Sequence, residues 1–269
     1  MTITVPLRPS ALPKEYQLIR ELGSSRFSHV WLARHECTWD LYVVKASTSE
    51  YRGIERLRRE VDYLEMLSAG PVPRVIGYWQ DEEQFVYAMQ YIPGATLHEW
   101  IEGLYWSPTR GVSLAAKMAA CIGYVHAFNI VHRDIKPGNF IVDNGGNVWI
   151  IDFGVSVRPG YDKPLEVPGR VTGTTDYISP EQAMGGHPHQ SQDIYSFGVV
   201  LFELVTRAVP FKGAQSIDVV RKHVYEAPPN IHEVAPDVPE AVRNLIDKCL
   251  KKTSGERPMS IYEAEEELS

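Results

Sequence analysis

Cysteine is scarce: among 269 residues only Cys37, Cys121 and Cys249 occur, far apart and without a CxxC pair. That excludes a disulfide framework and a cysteine-based zinc site, and it fits a reducing compartment. The N-terminus carries no basic segment followed by an apolar run, and the longest apolar stretch, around Val199 to Val205, is short and interrupted by Glu203. A secretory leader or membrane segment in this chain is therefore not expected, and the placement is cytoplasmic. Positive charge is not in excess: Lys and Arg number 27 against 34 Asp and Glu, a formal charge of -7. Nothing in that balance calls for nucleic acid or an anionic membrane as partner. Internal repeats and low-complexity segments are also lacking, which excludes solenoids and leaves a globular chain with 44% hydrophobic residues. Its length suffices for one large domain or two lobes.

What the chain does have is concentrated between His132 and Gly154, which reads HRDIKPGNFIVDNGGNVWIIDFG. Phe140 to Val142 and Val148 to Ile151 are short apolar runs separated by Asp143-Asn144-Gly145-Gly146, a strong turn signal, so the segment is expected to be a β-hairpin. Its ends bring the Asn139 amide and the Asp152 carboxylate side by side, a pair of hard oxygen donors suited to Mg²⁺. Just upstream, Asp134 and Lys136 sit two residues apart in a loop closed by Pro137-Gly138. There a carboxylate can take a hydroxyl proton while an ammonium neutralises a phosphate.

These residues resemble the protein kinase family, whose signatures are H-R-D-x-x-x-x-N and D-F-G. His132-Arg133-Asp134 with Asn139 matches the first, and Asp152-Phe153-Gly154 the second. Lys136, in the form D-x-K-P-x-N, is similar to the serine/threonine branch, and Gly173-Thr174 with Tyr177 ahead of Ser179-Pro180-Glu181 is similar to its bacterial type. The resemblance implies an α+β bilobal fold with a small antiparallel β-sheet N-lobe carrying one key helix, and a larger, mainly helical C-lobe. It also implies ATP with Mg²⁺, or Mn²⁺ in its place, and protein substrates. Residues 1–14 are expected to be an extension off the core, with an N-lobe over about 15–90, a hinge at about 90–94 and a C-lobe from about 95 to 269.

Between Tyr16 and Val44 apolar and polar residues alternate, as in antiparallel strands, and two further strands are expected near Val75 to Gln80 and Phe85 to Gln90. Residues 50–68 read as a helix in which Ile54, Leu57, Val61 and Leu64 form the stripe and Gly70-Pro71 the stop. At 100° per residue Glu60 falls within that stripe and needs a buried partner. The resemblance supplies Lys45, the strand lysine at the ATP phosphates; a surface pair of Glu60 with Arg56 is the plain alternative. By the same resemblance Leu22, Gly23, Val30, Val43, Met89, Gln90, Ile92 and Ile141 surround the nucleotide, Met89 bordering its deep end.

After the hinge the period becomes helical through Leu114, Met118, Cys121, Ile122 and Val125, with Ser113 as the expected N-cap. Asp193 to Val205 is apolar nearly all round, which predicts a buried central helix. Asp193 is expected either to cap that helix or, as in the family, to bind the backbone of the H-R-D loop. Ser179-Pro180-Glu181, preceded by Gly173-Thr174 and Tyr177, resembles the A-P-E box, and Arg257 the arginine that pairs with its glutamate. Arg133 in this family often meets a phosphorylated residue three or four places before the glycine matching Gly173. Arg170 and Gly169 stand there, so activity is expected not to need phosphate at that position. Thr172 would tune it, and Glu166 could act as a built-in anion.

Two departures stand out. Ser25 and Ser28 occupy the second and third glycine positions of the G-x-G-x-x-G-x-V loop, and strained serine backbone there is expected to weaken ATP binding without abolishing it. Val43 stands where the family usually has alanine, narrowing the adenine slot. A pseudokinase or nucleotide-sensing scaffold is thus a second reading, and a small-molecule kinase of related fold a third.

Overall fold

The computed structural model describes residues 8–48, 52–103, 106–162, 165 and 174–268. The chain divides into two compact units, Met1–Pro93 and Gly94–Ser269.

In the first unit the alternating segments become β1 (Tyr16–Ser24), β2 (Ser28–His35) and β3 (Leu41–Ser47), followed by helix α1 (Gly53–Met66), β4 (Val75–Gln80) and β5 (Phe85–Gln90). The strands form one antiparallel sheet in the order β1-β2-β3-β5-β4. Trp31, Ala33, Val44, Ala46, Val86 and Ala88 cluster from the three inner strands. Leu12 joins this cluster at 4% exposure, and Arg8 donates to the Tyr16 carbonyl at 2.7 Å. The expectation that residues 1–14 stay off the core therefore fails for the described part, because one leucine finds an apolar pocket that no local pattern announces. Helix α1 buries Leu57, Val61 and Leu64 along the predicted stripe, with Glu60 among them at 1% exposure.

The second unit opens with a strand the sequence pattern did not reveal. β6 (Gly94–Thr96) pairs with β7 (Phe140–Asp143), which pairs with β8 (Val148–Ile150). The hairpin β7–β8 turns where expected: Asp143 Oδ1 accepts from the amides of Gly145 and Asn147, both at 2.8 Å, and Gly146 takes φ 77°. The Trp149 indole N–H, which donates to Asp143 Oδ2 at 2.9 Å, acts first and these turn bonds after it to hold the half-buried Asp143 carboxyl well below the usual range, at about 2.

The helices are α2 (Leu97–Glu102), α3 (Pro108–Ala127), α4 (Pro180–Ala183), α5 (Gln190–Thr206), α6 (Ser216–Tyr225), α7 (Ile231–Val234), α8 (Glu240–Cys249) and α9 (Ile261–Leu268). Ser113 lies inside α3 and is not its cap. The helix begins at Pro108, whose missing N–H suits the first turn, and Ser107 Oγ accepts from the Arg110 amide. Every residue of α5 from Ser191 to Val205 is buried, as all-round apolarity requires. Two glycines let neighbours reach it: a Cβ on Gly198 would lie 2.5 Å from Cys249 Cβ in α8, and one on Gly111 in α3 would lie 2.5 Å from the Leu204 carbonyl. Burial pushes the Cys121 and Cys249 thiols up to about 12, so neither is a ready nucleophile. No helix among the described residues is long and apolar enough to cross a membrane.

Candidate active site

In the first unit Gly23, Val30 and Lys45 follow one another across β1, β2 and β3, and Lys45 faces Tyr87 in β5. Lys45 Nζ donates to Glu60 Oε1 at 2.8 Å, with the residues 6% and 1% exposed. A buried carboxylate on α1 is thus matched by a buried ammonium on β3, the arrangement that burial of either charge demands. Arg56 is not on the surface; it is buried with its guanidinium over the Phe27 ring at 4.3 Å. Leu22 is exposed near the end of β1. Val43 and Met89 pair across β3 and β5, the Gln90 amide donates to the Arg74 carbonyl at 2.9 Å, and Ile92 is buried just beyond β5.

The turn between β1 and β2 corrects the expectation of strained serines. Neither Ser25 nor Ser28 is among the described non-glycine residues with positive φ. Instead Ser25 Oγ accepts from the amides of Phe27 and Ser28, both at 3.1 Å, and lies 3.1 Å from Ser28 Oγ. The serine hydroxyl satisfies the turn's donors locally, as short polar side chains do in turns.

The second unit assembles a denser group. Asp134 Oδ2 accepts from Lys136 Nζ at 2.7 Å and from Asn139 Nδ2 at 3.1 Å, while Oδ1 accepts from the Thr174 amide at 2.9 Å and hydroxyl at 3.1 Å. Lys136 Nζ also donates to Thr174 Oγ1 at 2.8 Å, so residues far apart in sequence close on one carboxylate. Asn139 sits in a 3₁₀ turn, Pro137–Asn139, and gives its second N–H to the Asp134 carbonyl at 2.8 Å. With both amide protons on Asp134, Asn139 Oδ1 is the side-chain atom left to accept a bond or ligate. The Ile151 amide bonds the Asn139 carbonyl at 3.0 Å, which ties the residue before Asp152 to Asn139, and Asp152 Oδ1 accepts from the Gly154 amide at 3.1 Å. Oxygen donors of this kind fit Mg²⁺. Ile141, in β7, faces Trp149 in β8.

Asp193 anchors the loop that carries these groups. Fully buried, it accepts from the His132 amide, the Arg133 amide and His126 Nε2, each at 2.8 Å. Burial alone would raise its carboxyl, but the His126 bond, the charges of His126 and His132 and the Arg133 amide hold it below the usual range. It is not its own helix's cap, since His189 holds that position. Arg133 has φ 68°, a conformation costing about 1–3 kcal/mol for such a residue. Bonds on both sides impose it: the amide to Asp193 and the carbonyl to Gln182 Nε2 at 2.9 Å. The His132 ring, fully buried and edge-on to Phe153 at 5.1 Å, has its pKa lowered by burial. Glu181 and Arg257 form a two-pronged pair at 2.7 and 2.9 Å.

Sequence reading missed His126 and Gln182. His126 lies four residues after Ile122 on the apolar face of α3, which is a usable signal; Gln182 carries none. Thr172, Gly173, Arg170, Gly169 and Glu166, on which the expectation about loop phosphorylation turns, lie outside the described residues.

A β-sheet unit with one buried Lys–Glu pair, followed by a helical unit with an acid–lysine–amide cluster on a loop and hairpin, has the make-up of a protein kinase domain. A family model described as protein kinase domain matches residues 16–267. The chain is 31% identical to serine/threonine-protein kinase PrkC of Bacillus subtilis (strain 168) over 260 residues, 94% of this chain and 39% of that protein. It is 32% identical to serine/threonine-protein kinase PknA of Mycobacterium tuberculosis (strain ATCC 25177 / H37Ra) over 256 residues, 91% of this chain and 58% of the relative. With the probable serine/threonine-protein kinase PknB of Lactococcus lactis subsp. lactis (strain IL1403) it shares 28% over 254 residues, covering 92% and 40%. The chain belongs to the protein kinase family, with its antiparallel β-sheet N-lobe and helical C-lobe; it spans between 39% and 58% of the length of these relatives.

Proposed function

We propose that this domain transfers the γ-phosphate of ATP to serine or threonine hydroxyls of protein substrates. The observation that carries the reading is the Asp134 carboxylate held by Lys136, Asn139 and Thr174. Phosphoryl transfer needs mainly positioning and charge neutralisation. In that role Asp134 orients the substrate hydroxyl and takes its proton, and Lys136 meets the γ-phosphate. Lys45, steadied by Glu60, meets the α and β phosphates, with Leu22, Gly23, Val30, Val43, Met89, Gln90, Ile92 and Ile141 around the nucleotide. Asn139 Oδ1 and the Asp152 carboxylate would hold Mg²⁺, or Mn²⁺, which when bound neutralises phosphate oxygens. His132, Arg133, Phe153, Gly154, Glu181, Asp193 and Arg257 support the frame. The domain division at a hinge of about 90–94 and the cytoplasmic placement belong to the same reading, the latter supported by three unpaired cysteines. With Mg-ATP and casein, Asp134→Asn is expected to lower the rate by about 10²–10⁴-fold. Native turnover in that variant would remove Asp134 from the mechanism.

The scaffold reading draws on the Ser25–Ser28 turn, whose amides are already satisfied by a hydroxyl. A scaffold, however, has no chemical need for Lys45, Glu60, Asp134, Lys136, Asn139 and Asp152 together. Because the serines are unstrained, glycine at both positions adds chain freedom worth about 0.5–1 kcal/mol against order and relieves nothing. ATP affinity of the Ser25→Gly, Ser28→Gly variant is therefore expected to stay level or fall. Titration calorimetry giving a tenfold gain, about 1.4 kcal/mol, would show that the hydroxyls obstruct the phosphates.

A further inference from the structure

The 3₁₀ turn Thr175–Tyr177 directly follows Thr174, the residue whose amide and hydroxyl hold Asp134. Hydrogen bonds from two helices tie it to the rest of the second unit. Ser196 Oγ donates to the Tyr177 carbonyl at 2.6 Å, and Tyr177 Oη donates to Glu203 Oε2 at 2.8 Å, both partners lying on α5. A further anchor comes from α6: His223 Nε2 donates to the Asp176 carbonyl at 3.0 Å.

His223 is fully buried, and its other ring nitrogen is also engaged, lying 3.0 Å from Tyr195 Oη. Burial, with the Lys252 charge, brings the imidazole down to about 4, so near neutrality the ring is uncharged and carries one proton. A carbonyl can only accept, which puts that proton on Nε2 and leaves Nδ1 to accept from Tyr195. Burial raises the Tyr195 phenol, which keeps its proton and donates it. The phenol oxygen accepts in turn from Lys252 Nζ at 3.2 Å, and the same ammonium closes the end of α6 on the carbonyls of His223, at 2.7 Å, and Lys222, at 3.4 Å. The chain of donors thus has one direction: Lys252 to Tyr195 to His223 to Asp176.

Simple packing does not account for this. The ring lies edge-on to Phe211 at 4.9 Å and Tyr195 at 5.7 Å, contacts a phenylalanine could make as well. Phenylalanine could not donate to Asp176 or accept from Tyr195. The Tyr195 bond is buried and the Asp176 bond partly so, and loss of a partner is felt most where water is least able to replace it.

We infer that His223, held by Tyr195 and Lys252, is a positioning residue that fixes the Thr174–Tyr177 segment against Asp134 and so sets the fit of the polypeptide acceptor, not of the nucleotide. This rests on the kinase reading above. The two bonds of Tyr177 lie on α5, whose Asp193 also holds the backbone of His132 and Arg133. The Thr174–Tyr177 segment and the catalytic loop are thereby both tied to one buried helix, and the His223 imidazole adds a bond from α6.

The test compares native protein with His223→Phe, which keeps ring packing, and His223→Gln, whose amide can restore the donor to Asp176. Steady-state kinetics use casein and Mg-ATP, and amide hydrogen exchange by mass spectrometry follows residues 174–178. His223→Phe is expected to raise KM for casein about tenfold, to leave KM for ATP unchanged, and to speed exchange across the segment. His223→Gln is expected to recover most of both effects. Tyr195→Phe, which removes only the relay hydroxyl, should move both readouts the same way by less, and it serves if His223→Phe does not fold. A native KM for casein with native exchange in His223→Phe overturns the proposal. So does a proportional loss of ATP affinity, or a glutamine variant no better than phenylalanine. If the native protein transfers no phosphate to casein, the kinase reading fails on that result, and the exchange comparison alone decides whether His223 orders the segment.

Discussion

Asp152→Asn is expected to lower phosphate transfer by at least about 10³-fold at saturating Mg-ATP while the circular dichroism spectrum stays native. The substitution is isosteric, and Asp152 lies at the end of the β7–β8 hairpin with its Oδ1 on the Gly154 amide, which an asparagine oxygen can also accept. What is lost is one negative charge at the position proposed to hold the metal. Lys45→Met is expected to lose activity on the same scale, on the order of 10³-fold, but for this residue the fold is not a bystander. Removing the ammonium leaves the Glu60 carboxylate, 1% exposed, without its partner on β3. Breaking a buried pair from one side typically costs about 3–5 kcal/mol, so Lys45→Met should melt earlier than native whereas Asp152→Asn should not. Rate measurements with a melting curve for each variant separate the two roles. Near-native turnover in either variant would strike that residue from the proposed machinery.

Arg257→Ala is expected to be the most destabilising single change in the second unit, by about 3–5 kcal/mol, a fall in melting temperature of roughly 10 °C for a domain of this size. Every donor of this guanidinium has an acceptor. Nη1 and Nη2 reach the two Glu181 oxygens at 2.7 and 2.9 Å, and the others reach the carbonyls of Ser191, Lys251 and Lys252 at 2.8 to 3.0 Å. Alanine would leave a carboxylate and three carbonyls to find water in a buried site. Lysine should not rescue it, because three donors on a point charge cannot reproduce a planar fork of five. Thermal unfolding of native, Arg257→Ala and Arg257→Lys proteins checks both statements. An alanine variant melting within about 2 °C of native, less than 1 kcal/mol, would mean that the network is loosely held in solution.

Much of this architecture is readable one element at a time. The 3.6-residue period that places Leu57, Val61 and Leu64 inward also turns Glu60 inward, since helix geometry ties each side chain to neighbours three and four positions away. The same locality makes α5 a buried helix from its all-round apolarity, and makes the β7–β8 turn follow from Asp143-Asn144-Gly145-Gly146, where side chain and backbone meet within four residues. The spacing of Asp134, Lys136, Asn139 and Asp152 is likewise a local fact, and it sufficed to point to phosphate and metal chemistry. Family resemblance, not periodicity, supplied Lys45 as the partner of Glu60 and Arg257 as the partner of Glu181.

Contacts between distant segments left no such trace. Thr174 reaches Asp134 across 40 positions and His126 reaches Asp193 across 67. A buried polar residue shows in sequence only as a polar letter on an apolar face, and its partner can be any donor or acceptor the folded chain delivers. Leu12 makes the same point in the first unit, and Ser107 and Ser25 make it at shorter range. A leucine among prolines joins the core because a pocket lies beneath it, and Ser107 caps α3 ahead of Ser113 because Pro108 can begin the first turn. Ser25 is unstrained because its own hydroxyl satisfies the turn. Local chemistry sets which elements form and which faces they bury, whereas the choice of partner for each buried polar group waits until packing brings donors and acceptors together and removes the water that would otherwise satisfy them.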